Sequence, residues 1–148
     1  MDRNSILKSI IIVSVIGLII AGYALYLHYA PTGETTFCNI SDSFNCDIVN
    51  KSAYATFIGI PVALIGIGRY VTFMLLSFLD IKNYFGSPMH ILILALSIIG
   101  MIFTLYLVYV EAFILYTWCV VCIGNSIMML LVFLLSIAYY KKSASLSG

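Results

Sequence analysis

Two cysteines at C-x-x-C spacing, Cys119 and Cys122, begin an apolar segment that is predicted to be a helix running to Tyr140. A cysteine in the first turn of a helix faces unpaired backbone N–H groups and the positive end of the helix dipole. Both favour the thiolate, which is the form that attacks disulfides and electrophiles. The two sulfurs can lie one helical turn apart, so the pair can open and close with little backbone movement. The motif therefore indicates a redox-active dithiol.

Two other interpretations of the C-x-x-C motif stay open at this point. The motif can supply half of a zinc site. It can also be two unpaired cysteines that pack as small apolar side chains. The choice among the three depends on where the rest of the chain places the sulfurs.

The composition of the 148-residue chain is that of an integral membrane protein. It is 63% hydrophobic and 9% charged, whereas a soluble domain is about 25% charged. Net charge is +1, with seven Lys and Arg against six Asp and Glu, and this balance gives no reason to expect nucleic acid as a partner. The two histidines are far apart in sequence, and no Asp/Glu/His cluster suggests a catalytic metal.

Four apolar runs are each long enough to cross a bilayer. They predict a single all-α membrane domain over residues 1–148, with transmembrane helices at about 7–29, 58–79, 88–111 and 118–140 and an outer loop over 30–57. The first run lacks the small-residue cleavage site of a signal peptide, so it is interpreted as a helix. Pro61 breaks the second run, and the residues before it are predicted to form a short helix at the interface.

A second cysteine pair, Cys38 and Cys46, lies in the outer loop. Basic residues place both chain termini in the cytoplasm by the positive-inside rule, because one side of the membrane holds most of them: Arg3, Lys8, Lys82, Lys141 and Lys142. The opposite side holds Lys51 among several acidic residues. All four cysteines are then predicted to lie outside the cytoplasm, where disulfides persist. None is expected at mid-membrane, which argues against packing cysteines.

Arg69 falls near mid-depth of the second predicted helix. A central arginine costs roughly 2.5–3.5 kcal/mol on insertion scales. We expect it to snorkel or to bond backbone carbonyls rather than to act in the chemistry.

Two dithiols on one membrane surface can form an exchange relay. The loop pair can meet a soluble protein, and the helix pair is held where lipid meets water. A thiolate at that depth can pass electrons to a lipid-soluble acceptor, of which quinones are the common class. Exchange between the pairs requires a mixed disulfide, so the loop must fold over the helix end.

The chain resembles the vitamin K epoxide reductase family, and its prokaryotic members in particular. The matching residues, in order, are Phe37-Cys38, Cys46-Asp47, Ser52, the run from Phe57 through Gly59-Ile60-Pro61 to Leu64, and Trp118-Cys119-x-x-Cys122. The resemblance covers nearly the whole chain. Many prokaryotic relatives carry a fused thioredoxin-like domain, and this chain stops after the fourth predicted helix. A thioredoxin-like protein is therefore expected to act in trans on the outer side.

The resemblance implies a four-helix bundle around a quinone pocket capped by the outer loop. Cys122 would contact the quinone, which could be menaquinone, ubiquinone or a related compound. Cys119 would be its partner and accept the attack from the loop. Cys46 would pass electrons to Cys119, and Cys38 would exchange with the partner protein. Two further residues, Ser52 and Phe57, are placed at the pocket rim as candidate quinone contacts.

The leading hypothesis is a protein-dithiol:quinone oxidoreductase that supports disulfide formation outside the cytoplasm. Reduction of vitamin K epoxide as the main role is an alternative. The animal enzyme has an asparagine and a tyrosine where Ala55 and Ser126 stand here, which weakens that alternative. A membrane protein that binds metal through four thiolates is another hypothesis, although Cys38 and Cys46 lack finger-like spacing. A structural protein with two inert disulfides is the last, and the reactive setting of C-x-x-C opposes it.

Overall fold

A computed structural model describes residues 1–31, 38–84 and 88–147. Phe37 of the Phe37-Cys38 motif lies outside this described part. The elements in chain order are α1 (Arg3–Tyr29), β1 (Asn39–Ser41), β2 (Phe44–Asn45), α2 (Cys46–Asn50), a 3-10 turn (Ala53–Ala55), β3 (Thr56–Phe57), β4 (Ile60–Pro61), α3 (Val62–Ile81), α4 (Met89–Val110), a π-helical turn (Glu111–Leu115) and α5 (Val120–Ser147).

Helices α1, α3, α4 with its π-helical turn, and α5 are long and apolar enough to cross a membrane. The predicted all-α bundle of four transmembrane helices is therefore confirmed. The fourth helix extends past its predicted end at residue 140 and runs to Ser147.

The core of the bundle lies where α1 packs along α3 and α5, and α4 packs against α5. Fully buried side chains there include Leu7, Tyr70, Phe73, Met129 and Tyr139. Large apolar side chains outside this core, such as those of Ile19 and Leu75, are exposed. Lipid tails are as apolar as these side chains, so this outer surface is suited to a bilayer.

At one end of the bundle, residues from helices that are distant in sequence contact one another. Nη2 of Arg3 donates to Oδ1 of Asn83 at 2.8 Å. The Tyr139 hydroxyl donates to the carboxylate of Asp80, and the rings of His90 and Tyr140 lie 5.6 Å apart. The basic residues at both chain termini therefore share an end with the α3–α4 connection. The cysteines lie at the opposite end.

Residues 38–61 lie at that opposite end and are called the cap below. Their structure differs from the predicted interfacial helix before Pro61. The chain there forms the 3-10 turn and then a hairpin of β3 and β4, in which Phe57 pairs with Ile60. Ile58 and Gly59 at its tip have φ of +53° and +78°. Two positive φ angles suit a two-residue hairpin turn, and a glycine takes one of them without strain. The short helix of the cap is α2 instead.

We predict that Gly17→Ala destabilises the bundle by about 1–3 kcal/mol through overpacking. A Cβ at Gly17 would overlap the ring of Tyr70, which is fully buried and tied by its hydroxyl to Asn125. Gly22→Ala on the same helix is the matched control, since nothing lies within 4 Å of its added methyl. Thermal unfolding midpoints in detergent measure the difference. Equal midpoints for the two variants would disprove the close approach of α1 to α3.

Candidate functional site

The outer loop is joined by backbone hydrogen bonds to the residue that precedes the C-x-x-C motif. The N–H of Asn45 donates to the carbonyl of Trp118 at 3.1 Å, and the N–H of Trp118 donates to the carbonyl of Ser43 at 2.9 Å. Asn45 also caps α2, because its side-chain oxygen accepts the N–H groups of Asp47 and Ile48 at 3.0 and 3.2 Å. Cys46, the first residue of α2, is thereby fixed beside Cys119.

The sulfurs of the two cysteine pairs meet at this point. Cys38 and Cys46 form a disulfide, whereas Cys119 and Cys122 are free. Sγ of Cys119 lies 3.0 Å from Sγ of Cys46. The three sulfurs of Cys38, Cys46 and Cys119 lie within 4.8 Å of one another. The distances place a free thiol next to a disulfide, which is the arrangement that thiol–disulfide exchange requires.

Cys119 is more buried than Cys122, although Cys119 lies one turn nearer the start of the helix and would by that position alone be expected nearer to water. Cys119 is 0% exposed, whereas Cys122 is half-buried. The reason is the cap, since α2 covers Cys119 while Cys122 faces a cavity inside the bundle. Cys38 and Cys46 are also buried, at 2% and 0% exposed. A soluble protein can reach the loop pair only after this cap is displaced.

The surroundings of Cys119 favour its thiolate. The hydrogen bond from the Cys122 thiol lowers the pKa of Cys119, and the backbone N–H groups of Cys122 and Val121 lower it further. Burial and the nearby Glu111 oppose this change, and the net direction is downward. The N–H of Cys122 lies 3.4 Å from Sγ of Cys119, and Nδ2 of Asn50 lies 3.6 Å from it. A thiol with a lowered pKa is a better leaving group in exchange.

Glu111 is a site residue that no sequence motif singles out. It is buried, and its Oε2 accepts the N–H of Cys119 at 3.3 Å. Its carboxyl also lies within hydrogen-bonding reach of the Cys122 thiol. The π-helical turn and the left-handed Tyr116 fold the chain back, with the N–H of Thr117 donating to the Glu111 carbonyl at 3.2 Å. Spacing alone cannot reveal this contact, because the fold-back brings together residues eight positions apart.

A cavity of about 80 Å³ lies directly against Cys122. It is called the upper cavity because it lies at the cysteine end of the bundle. Its walls come from α1, the cap, α3, the α4 end and α5. The wall residues that matter for the chemistry are Cys122, Glu111, Ser52, Thr104, Asn125 and Ser126. Ser52 is held at the rim by donating to the carbonyl of Val49 at 2.8 Å. Ala55 also faces this cavity, where it offers no polar group.

A lower cavity of about 380 Å³ adjoins the upper one between α3 and α4. The two share Val62, Gly66, Leu107 and Asn125 as wall residues. Phe57 lines the lower cavity, with its ring 5.9 Å from that of Phe103 in an edge-on arrangement. Sites for small ligands usually hold about 300–1,000 Å³. The lower cavity reaches that size, whereas the upper one has room for only part of such a ligand.

The model of the vitamin K epoxide reductase family matches residues 8–137. The chain belongs to the vitamin K epoxide reductase family. This is an oxidoreductase family whose enzymes use quinone-type electron carriers in general. No curated protein matches the chain. Membership agrees with the disulfide in the cap and the free cysteines beside it, which fit a quinone-linked thiol–disulfide or epoxide reductase.

The catalytic and quinone-binding roles predicted for the site residues remain predictions, whereas the structure gives the position of each described residue. It brings Cys38, Cys46 and Cys119 into one buried cluster and turns Cys122 into the upper cavity. It separates the two candidate quinone contacts, because Ser52 lies at the upper cavity and Phe57 at the lower one.

We predict that the double variant Cys38→Ser/Cys122→Ser accumulates a Cys46–Cys119 disulfide under oxidising conditions. Each remaining sulfur has lost its usual partner, and the two already lie 3.0 Å apart. Mass spectrometry of non-reduced peptides detects the bond. The control is Cys46→Ser/Cys122→Ser, which leaves Cys38 and Cys119 and is expected to cross-link less. Free sulfurs at both Cys46 and Cys119 in a folded, oxidised double variant would contradict the proposed relay.

Proposed function

We propose that this chain oxidises the dithiol of an extracytoplasmic thioredoxin-like protein and passes the electrons to a membrane quinone. The observation that carries the proposal is the 3.0 Å separation of the Cys46 and Cys119 sulfurs, with Cys122 opening onto the upper cavity on the far side of Cys119. The four cysteines thus form a continuous path from the cap to a space that adjoins the lipid-spanning helices.

The first half of the reaction oxidises the partner. A partner thiolate attacks Cys38, breaks the Cys38–Cys46 bond and releases Cys46 as a thiolate. The second partner thiol then attacks the mixed disulfide, so the partner leaves with a new disulfide and the loop pair is reduced. Because Cys38 is buried, this step takes place with the cap displaced.

The second half moves the electrons to the helix pair. The Cys46 thiolate attacks Cys119 of a Cys119–Cys122 disulfide and releases Cys122. Cys38 then attacks Cys46, which restores the loop disulfide and releases Cys119. The lowered pKa of Cys119 makes it a good leaving group in this step. An oxidised loop pair beside a free helix pair is the arrangement that this transfer would leave, and the cysteines of the structure are consistent with it.

The last step returns Cys119 and Cys122 to a disulfide. The dithiol loses two electrons and two protons, and the quinone gains both to become a quinol. Each turnover therefore forms one disulfide in the partner and one quinol in the membrane. Glu111 lies between the N–H of Cys119 and the Cys122 thiol, so its carboxyl is placed to take the Cys122 proton and pass it to the reduced quinone.

The same proposal includes the orientation of the protein. The bundle end that carries Arg3 and Asn83 is also the end of Lys82 and of the basic C-terminal segment. The positive-inside rule puts this end in the cytoplasm and the cysteines on the outer side of the membrane. Metal binding through the cysteines is less well supported, because two of the three clustered sulfurs are joined in a disulfide. Metal analysis of the reduced, purified protein separates the two functions.

We predict that replacing a loop cysteine and replacing a helix cysteine affect quinol formation differently. Cys119→Ser and Cys122→Ser should abolish reduction of menaquinone or ubiquinone from every thiol donor, because the pair facing the quinone is gone. Cys38→Ser and Cys46→Ser should abolish turnover with a reduced thioredoxin-like protein, whereas dithiothreitol should still drive some quinol formation. The assay uses right-side-out membrane vesicles, so that a donor protein added outside also tests the orientation. Loop variants that lose both activities equally would show that the order of the relay is wrong.

We predict that Glu111→Gln slows quinol formation by roughly 100-fold or more, the usual range for losing a positioned proton carrier. Glutamine can still accept the N–H of Cys119, so the fold-back and the Cys46–Cys119 exchange should persist. Single-turnover quinol formation and thiol exchange are measured separately on one preparation. Asp42→Asn in the exposed part of the loop is the control for loss of one negative charge. Full-rate quinol formation in Glu111→Gln would remove the carboxyl from the mechanism.

A further inference from the structure

We expected Arg69 to snorkel to the membrane surface or to bond backbone carbonyls. Among the residues that the structure describes, it does neither. Its side chain lies in the wall of the lower cavity. Nη1 donates to Oγ1 of Thr104 at 3.2 Å, and the guanidinium carbon lies 4.7 Å from the centre of the Tyr70 ring. Its Cδ passes 3.2 Å from where a Cβ on Gly100 would stand. The bare backbone at Gly100 thus gives the arginine room to turn inward.

Two nitrogen atoms of this guanidinium are not paired with an acceptor in the part of the chain that the structure describes. Nε and Nη2 of Arg69 are buried and have no hydrogen-bond partner of normal geometry among the residues that the structure describes, although the Tyr70 hydroxyl lies near the guanidinium. No acidic side chain contributes to the described wall of the lower cavity. A buried charged donor without a partner is costly. Arg69 also lies seven residues inside α3, about 10 Å below the start of the helix at 1.5 Å per residue. An acceptor supplied by a ligand would satisfy both donors.

Arg69 lines the lower cavity, and its hydrogen-bond partner links it to the upper one. Thr104, which holds Nη1, lines the upper cavity together with Cys122. Asn125 lines both cavities and accepts the hydroxyl of Tyr70 at 2.9 Å, which fixes the ring beneath Arg69. A flat ring that enters between α3 and α4 and reaches Cys122 would turn one edge toward the cysteine and the opposite edge toward Arg69. The two oxygens of a 1,4-quinone lie on such opposite edges.

We propose that Arg69 binds the quinone oxygen that is farther from Cys122 and stabilises the negative charge that this oxygen gains on reduction. The inference rests on the proposed function and adds to it a residue that contacts the substrate. Two electrons and two protons still pass from the Cys119/Cys122 dithiol to the quinone, and the guanidinium keeps its own proton throughout. A planar pair of charged donors is suited to an anionic oxygen. The site therefore prefers acidic hydroxyquinones over neutral quinones of the same size.

The test compares binding of 2-hydroxy-1,4-naphthoquinone, an anion at neutral pH, with that of uncharged 1,4-naphthoquinone, by equilibrium dialysis against the purified, detergent-solubilised protein. The wild type should bind the anion at least about tenfold more tightly, as expected for a charge-assisted hydrogen bond. Arg69→Gln should lose this preference, and Arg69→Lys, which keeps the charge without the planar pair of donors, should keep part of it. Lys82→Gln, at the other end of α3, is the control and should bind as the wild type does.

Turnover on the same preparations separates this inference from the proposed function. Arg69→Gln should raise the KM for the quinone while exchange between Cys46 and Cys119 keeps its rate. A wild type that reduces quinones but shows no preference for the anion, or an Arg69→Gln variant that keeps the preference, would overturn the role of Arg69 alone. A wild type that reduces no quinone would overturn the proposed function and this inference with it. If Arg69→Gln fails to fold, an Arg69→Lys variant that matches the wild type in both affinities would equally overturn the paired-donor contact.

Discussion

The short pairing between the outer loop and Trp118 is the interaction on which the site depends. Two backbone hydrogen bonds, from Asn45 to Trp118 and from Trp118 to Ser43, join segments more than seventy positions apart. Each is an ordinary hydrogen bond with a net contribution of about 0.5–1.5 kcal/mol. Their importance is geometric, because they set Cys46 beside Cys119 and cover both sulfurs with α2. Without them the loop disulfide and the helix thiols would be two unrelated pairs.

The irregular chain between α4 and α5 meets the constraint that a membrane places on exposed backbone. Unsatisfied N–H groups are costly there, and non-helical chain is tolerated where protein buries it. The Glu111 carbonyl accepts the N–H of Thr117, and the Glu111 carboxyl accepts the N–H of Cys119. One buried residue thus satisfies two donors of the turn and brings a carboxyl to the thiols. The same fold-back therefore closes the turn and places the Glu111 carboxyl beside the thiols.

The sequence could predict the four helices and the family, because apolar runs and short cysteine-containing motifs are local signals. It could not predict which cysteine is buried, since the burial of Cys119 comes from α2, a distant segment. The hairpin at Ile58 and Gly59 replaced a predicted helix because two positive φ angles are not visible in an apolar run. The inward turn of Arg69 depends on the missing side chain of Gly100 on another helix. Each of these differences involves contacts between segments that are far apart in the chain.

Burial of the sulfurs separates the two exchanges that the proposed relay requires. Cys46 and Cys119 meet under a closed cap, in surroundings that exclude competing thiols. Cys38 is 2% exposed in this arrangement, so a partner protein cannot attack it until the cap moves. In the proposed relay, the closed cap would serve exchange within the chain, and a displaced cap would serve exchange with the partner. The bonds that must break between the two positions include those of Asn45 and Trp118. These bonds lie outside the core of the bundle, which is built from side chains of α1, α3, α4 and α5.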